Sequence, residues 1–243
     1  MRAISFVLSG KTAHFKRPDV NVSTYFTYQH IHKVALLGLL GAILGLKGYN
    51  EQGKNDKYPE FYEKLNNIKI AIVPLTKYNG IFSKKIQVFN NSVGYASQEQ
   101  GNNLIIREQW LENPRWKIFI NLESKVETNL LEKLEDYLIN SKAIYIPYLG
   151  KNDHYANISN VELLELKKLD KPEYVSSLFI WDEISLEKDS FDFKTPFTFK
   201  DTMPIRLNEE GMYEFIKLGL TNRLIEETNK IIYSSENENI FFI

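Results

Sequence analysis

The 243-residue chain reads as an α+β protein: a ferredoxin-like domain over 1–150, a β-hairpin inserted into it over 76–103, and a β-rich C-terminal subdomain over 151–243. Three observations predict this. The first 75 residues run alternating strand, apolar helix, β-rich strand. Strand segments, an amphipathic helix and a short strand follow the insertion. Beyond Gly150 the apolar residues fall in short β-prone runs.

Residues 2–8 set Ile4, Phe6 and Leu8 against Ala3, Ser5 and Val7, the period of a strand. A long loop follows to about residue 30, then a helix over 31–46. Its stretch Val34–Leu46 is apolar nearly all round, but its 13 residues fall short of the roughly 18–20 that cross a bilayer. A buried helix is expected. Gly38, Gly41 and Gly45 share one face of it, at a cost of up to about 1 kcal/mol each, and predict close packing of that face on the sheet. Pro59 opens a short helix at 59–66, and 68–75 is a second strand with Pro74 near its end.

From Thr76 to Asn103, Asn79-Gly80, Asn90-Asn91 and Gly101-Asn102-Asn103 punctuate Ile86–Phe89, the signature of a hairpin, with Lys77, Lys84 and Lys85 against Glu99. Leu104–Trp110 and Trp116–Asn121 resume as core strands around Asn113-Pro114. Asn129 with Glu132 predicts a capped helix striped by Leu130, Leu134 and Leu138, and Ala143–Pro147 a last strand. Helices would cover one face of this sheet and leave the other open, the face many RNA readers use. In the C-terminal part Val161–Leu169, Tyr174–Ile180, Phe191–Phe199, Met212–Leu218 and Lys230–Tyr233 are the expected strands.

Net charge is −1, but it is unevenly spread: residues 1–50 carry six Lys/Arg against one acid, and 151–243 carry eleven against eighteen. A polyanion site near the N-terminus is the consequence drawn. With no cysteine, thiolate metal sites, thiol nucleophiles and disulfides are excluded. The N-terminal apolar run is too short for a signal peptide, so a soluble, cytoplasmic protein away from membranes is expected.

The stretch Ser9-Gly10-Lys11-Thr12-Ala13-His14-Phe15-Lys16-Arg17-Pro18 gathers cations, an imidazole and a ring on one loop. Further along, Tyr25, Phe26 and Tyr28 alternate with His30 and Lys33. Cations for phosphates and rings for bases are the means by which single-stranded RNA is held. Ser9-Gly10-Lys11-Thr12 is not a phosphate-binding P-loop, since the glycine required five residues earlier is Ser5. No metal-ligand spacing and no cofactor motif occurs; His30-x-His32 suits a helix start or an RNA contact better than zinc. Metal-free acid–base chemistry on a 2′-hydroxyl has candidates in His14, Tyr25, Tyr28, His30, His32 and Lys33, which composition cannot separate from phosphate binders. Arg107–Leu111 and Tyr148–Tyr155 are further polar-aromatic clusters, read as a strand with a cross-strand ion pair and as a turn.

These segments resemble, in order over about two-thirds of the chain, the signposts of the fifth CRISPR-associated (Cas) family, of the RAMP class, in its type I-B variant. They are the first strand with Ser9-Gly10 and Ala13–Pro18, the Leu37–Gly45 helix, Arg107–Trp110 and Tyr148–Asn152. The resemblance implies an RRM-like fold with 76–103 as a thumb. It implies a subunit that holds the 5′ handle of the crRNA in a Cascade complex, beside the backbone subunit and the large subunit, with target DNA met only indirectly through the guide. Lys11, His14, Lys16 and Arg17 would clamp phosphates and Tyr25 or Tyr28 would stack on bases, with Phe15, His30, Lys33 and Arg107 completing the RNA-binding set. One subtype of the family is a metal-independent pre-crRNA endoribonuclease. The Lys-His pair expected of it is absent here, so binding without catalysis is the expectation; the endoribonuclease, and a protein scaffold without RNA contact, are the alternatives.

Overall fold

The N-terminal strand is buried along almost its whole length, and the rest of the fold follows from what covers its two faces. The computed structural model describes residues 1–243 except 21–22, 77–78, 96–97, 99, 192–194 and 236–237. In chain order the first elements are β1 (Arg2–Ser9), β2 (Thr12–Ala13), α1 (Lys33–Leu44), α2 (Glu60–Leu65), β3 (Ile70–Pro74), β4 (Lys84–Asn90), β5 (Ile105–Glu112), β6 (Arg115–Asn121) and α3 (Thr128–Ile139). The C-terminal part adds β7 (Asn157–Glu165), β8 (Lys167–Lys168), β9 (Phe179–Ile180), β10 (Ile184–Phe191), β11 (Thr198–Leu207), β12 (Tyr213–Thr221), β13 (Arg223–Thr228), β14 (Ile232–Ser234) and β15 (Asn239–Phe241). The protein is mixed α/β, mostly strands.

The main sheet has the order β3-β6-β1-β7, every neighbour antiparallel. Ile4, Phe6 and Leu8 of β1 point into the larger core with α1, α2 and Leu131, Leu134 and Leu138 of α3. The other face is not open as expected. Ala3, Ala71, Val73 and Phe119 are covered by Leu166 and Ile240, with Tyr233 and Phe242 packed at the side. Lys117 pairs with Glu238 at 3.2 Å across the same face. The reason is legible in β1 itself: Ala3, Ser5 and Val7 are as apolar or small as their alternates, and a strand without a solvating face is buried on both sides.

Four local expectations are corrected. Residues 143–147 form no strand. The N–H groups of Ile144 and Tyr145 donate instead to the carbonyls of Ile43 and Ala42 in the last turn of α1. The fourth sheet position goes to β7, which bulges where Asn160 takes φ 51°. Next, the glycine face of α1 packs on α2 rather than on the sheet: a Cβ on Gly41 would stand 2.5 Å from Cβ of Phe61. Gly45 lies outside the helix as its left-handed cap, φ 78°. Third, Asn129 sits inside α3, which starts after Glu127 with no side-chain cap; Leu131 rather than Leu130 is its buried first-turn leucine. Last, Leu104–Trp110 is not a core strand. β5 is the return arm of the hairpin, paired with β4 from Lys84↔Leu111 to Asn90↔Ile105, and its sheet is β2-β5-β4. Lys77 and Glu99 lie outside the described residues, as does part of the expected strand 191–199.

The C-terminal strands form the sheet β11-β12-β9, the ribbon β10-β13 and the sheet β15-β14-β8. Met203, Leu218 and Leu220 share the core of α1. Tyr62 Oη accepts the Leu207 N–H at 2.7 Å, tying α2 to β11. Of the expected strand Tyr174–Ile180 only Phe179–Ile180 is regular.

Candidate nucleic-acid interface

The basic N-terminal loop is not loose. Residues 15–17 run beside 26–28: Arg17 N–H donates to the Phe26 carbonyl at 2.9 Å, Tyr28 N–H to the Phe15 carbonyl at 3.0 Å, and Phe15 N–H to Thr27 Oγ1 at 2.9 Å. Its tip is hooked to β5 by Tyr25 N–H on the Arg107 carbonyl and Gln109 N–H on the Tyr25 carbonyl, both 2.9 Å. On the other side it meets the turn 148–155, where His14 N–H donates to the Leu149 carbonyl at 3.1 Å. Gly150 permits that approach: it has φ 89°, and a Cβ there would stand 1.9 Å from the His14 carbonyl oxygen.

The two polar-aromatic clusters of the sequence meet here. Lys151 Nζ donates to both oxygens of Glu108 at 2.9 and 3.0 Å, and Trp110 Nε1 donates to Glu108 at 2.8 Å. Glu108 is 5% exposed. Burial opposes its charge, but the bonds from Lys151 and Trp110 outweigh it and hold the carboxyl below its usual range. His154 packs edge-on to Trp110 at 4.7 Å and shares a 2.7 Å hydrogen bond with Thr12.

Between loop, turn and helix lies a cleft of about 860 Å³. It is lined by Val34, Ala35, Gly38, Leu39 and Ala42 of α1, by Phe61 of α2, and by Lys16, Tyr25, Glu108, Tyr148 and Lys151, with Tyr49, Tyr145 and Tyr213. The ammonium of Lys16 stands 3.8 Å from the centre of the Tyr25 ring. Cations beside flat rings are the components by which single-stranded nucleic acid is held in general.

The expected site residues divide into groups. His14, Phe15, Lys16 and Tyr25 line this cleft, Lys16 exposed and Tyr25 half-buried. Phe15 is 3% exposed and packs on Trp116 and His32, so it braces the loop and offers no face to a base. Lys11 and Arg107 are exposed and carry no ion pair among the described residues. Arg17 is turned away from the cleft: it pairs with Asp201 at 3.0 Å and Asp19 at 3.3 Å, over the ring of Tyr28. Tyr28 is fully buried, and burial pushes its hydroxyl up to about 12. Lys33 donates to the Ile243 carbonyl at 3.1 Å, its ammonium pushed down by burial to about 8.

His30 is in the core, accepting from Trp116 Nε1 at 3.3 Å, and His32 caps α1 by accepting the Ala35 N–H at 3.2 Å, the helix-start role its position suggested. Burial lowers both to about 3. His14 is also lowered by burial; its Nδ1 faces the Gln109 carbonyl at 2.9 Å, which can only accept, so Nδ1 carries the proton. Sequence reasoning missed Glu108, Lys151, Tyr49, Tyr145 and Tyr213. The signal for the first two was present in the two clusters; only their apposition was hidden. Among the described residues no cluster of three His, Asp or Glu could hold a metal, and no helix is long and apolar enough to cross a membrane.

A strand-rich α/β fold with a cleft of cations and rings defines the class. The chain belongs to the family described as CRISPR-associated protein (Cas_Cas5), whose sequence profile matches residues 3–214. Among solved structures it is similar to a chain of a CRISPR RNA-guided surveillance complex, with a TM-score of 0.54 at 9% identity over 91% of each chain. A CRISPR protein from Archaeoglobus fulgidus gives 0.52 at 11% identity, covering 99% of this chain and 98% of that one. A chain of the type III-B Cmr-beta complex bound to cognate target RNA and AMPPnP gives 0.50 at 10% identity, covering 93% and 86%. At such identities the likeness is one of fold. None of the curated proteins matches this sequence.

Proposed function

We propose that this chain is a non-catalytic RNA-binding subunit of a type I CRISPR Cascade complex, of the type I-B variant, that holds the 5′ handle of the crRNA. The observation that carries the reading is the cleft in which Lys16 and Lys151 stand among Tyr25, Tyr148 and Tyr213 in a member of this family. Lys16 is an exposed cation of the cleft, and Lys11 and Arg107 are exposed cations outside it, for phosphates. Arg17, Phe15, Tyr28 and His30 act at one remove, by fixing the loop and the chain that leads from it, and Lys33 by tying the start of α1 to Ile243. The order β3-β6-β1-β7 is that of a ferredoxin-like, RRM-like sheet, and the β4–β5 hairpin is the thumb. On this reading 1–150 is the RNA-holding domain and 151–243 the C-terminal subdomain, which lends β7 to the first sheet. Ile86, Val88 and Ile105, each about half exposed on the hairpin, are the contact for the backbone subunit. The large subunit and, through the guide, target DNA are the remaining partners, in the cytoplasm.

One observation favours a second reading, a metal-independent endoribonuclease: His14, Tyr25 and Lys151 line the same cleft. Against it, His14 is 2% exposed and Lys151 is held by Glu108. The test is incubation of the purified protein with labelled cognate CRISPR repeat RNA in EDTA, read on native and denaturing gels. A shifted, intact RNA is expected. A discrete cut would establish the nuclease, and neither shift nor cut by folded protein would refute RNA holding by this chain alone.

A further inference from the structure

Asp201 is out of keeping with its place on β11. Phe199, Asp201 and Met203 are the partly or fully buried alternates of that strand, while Lys200 and Thr202 between them are exposed. A carboxylate on an otherwise apolar face is costly unless it holds a partner. Phe199 meets the His30 ring at 4.8 Å, and Asp201 takes Arg17 Nη1 on both oxygens, at 3.0 and 3.3 Å. The other guanidinium nitrogens, Nε and Nη2, donate to Asp19 at 3.3 Å. Asp19 travels with the loop, whereas Asp201 is 184 residues away and belongs to the C-terminal sheet. Lys84, at the start of the hairpin, donates to the Thr27 carbonyl at 3.2 Å and feels the charges of both Asp201 and Arg17. The consequence falls on the neighbour of Arg17. Residues 15–17 are extended, with Lys16 bridged to Thr27, and successive side chains of an extended chain point to opposite sides. With Arg17 held on Asp201, Lys16 is delivered to the cleft, its ammonium 3.8 Å from the centre of the Tyr25 ring.

We propose that Asp201 is the positioning residue of the RNA-holding loop: it draws Arg17 onto the C-terminal sheet and so turns Lys16 toward the RNA. The inference rests on the RNA-holding reading above. It gives the C-terminal subdomain a part in RNA binding that it plays without touching RNA. Arg17 is then no phosphate ligand, since Asp19 and Asp201 occupy its nitrogens and would repel an approaching phosphate.

The test measures the affinity of the full chain for cognate repeat RNA after Asp201→Asn, an isosteric change that removes one negative charge. If Asp201 were only an acid near the RNA, its loss would leave binding unchanged or tighten it, the more so with Arg17 set free. The positioning role predicts the opposite sign, binding weaker by about fivefold. Lys16→Gln should weaken binding in the wild type but add little in Asp201→Asn, where Lys16 is already misplaced. An acid that merely stabilised the fold would produce no such coupling. Binding by Asp201→Asn as tight as wild type or tighter, with Lys16→Gln costing the same in both, would overturn the role of Asp201 and leave RNA holding intact. Absence of RNA binding by the folded wild type would instead overturn the reading beneath it, and this role with it. Should Asp201→Asn fail to fold, Arg17→Gln cuts the same tie from the loop side, and its coupling to Lys16→Gln decides the matter in the same way.

Discussion

Replacing Gly150 by alanine tests the joint on which the cleft is built. At φ 89° an L-residue costs about 1–2 kcal/mol. The new Cβ would also stand 1.9 Å from the His14 oxygen and 2.7 Å from its carbonyl carbon, with Phe15 Cδ1 at 3.1 Å. Backbone cannot yield as a side-chain end can, so loop and turn must part. The 3.1 Å bond from His14 N–H to the Leu149 carbonyl is then lost, at about 1 kcal/mol net. Some burial of Leu149, fully buried now, goes with it. The sum is about 3 kcal/mol, which in a chain of this size lowers Tm by about 6–12 °C. Gly101→Ala is the control, because Gly101 has φ 86° but nothing within 4 Å of its missing Cβ. It should show only the dihedral cost, about 1–2 kcal/mol, and unchanged RNA binding. Thermal melts and RNA titrations of both variants are the assay. Equal Tm losses for the two, or full RNA affinity in Gly150→Ala, would refute the argument that this contact assembles the cleft.

Two further outcomes are expected. His30 and His32 have folded values near 3, below their ordinary 6.5, so their contribution is complete above pH 6.5 and is lost as pH falls. At pH 5 each costs about 2 kcal/mol relative to pH 7.5, so the urea midpoint should drop between those values; His32→Asn, which keeps a capping oxygen, should flatten the slope, and equal midpoints would contradict the burial argument. Lys151→Ala leaves Glu108 buried with Trp110 as its remaining side-chain partner and should cost about 1–3 kcal/mol. Adding Glu108→Gln should recover part of that stability without recovering RNA affinity, and a purely additive pair in denaturant unfolding would argue against coupling.

The local elements were written in the sequence, because they depend on neighbours along the chain. The alternation of residues 2–8, the apolar run of α1 and the turn signals around Ile86–Phe89 each set a conformation by periodicity or by turn chemistry. So did the crowding of cations and rings in 9–33, which placed Lys16 and Tyr25 among the candidates. Burial was harder to read. Phe15, Tyr28 and His30 look the same in sequence whether they face a base or a core, and Trp116, 86 residues away from His30, decides the matter.

What only the tertiary structure decided are the pairings between distant segments. β7 rather than 143–147 completes the sheet, because the end of α1 claims the N–H groups of Ile144 and Tyr145. The C-terminal strands close the face expected to be open, since both sets of β1 side chains are apolar or small and need cover. Lys151 meets Glu108 across 43 residues because Gly150 lets two backbones approach. Sequence periodicity carries information about a residue's own turn or strand. It carries none about which distant segment satisfies a buried charge, and the cleft is made of such satisfactions.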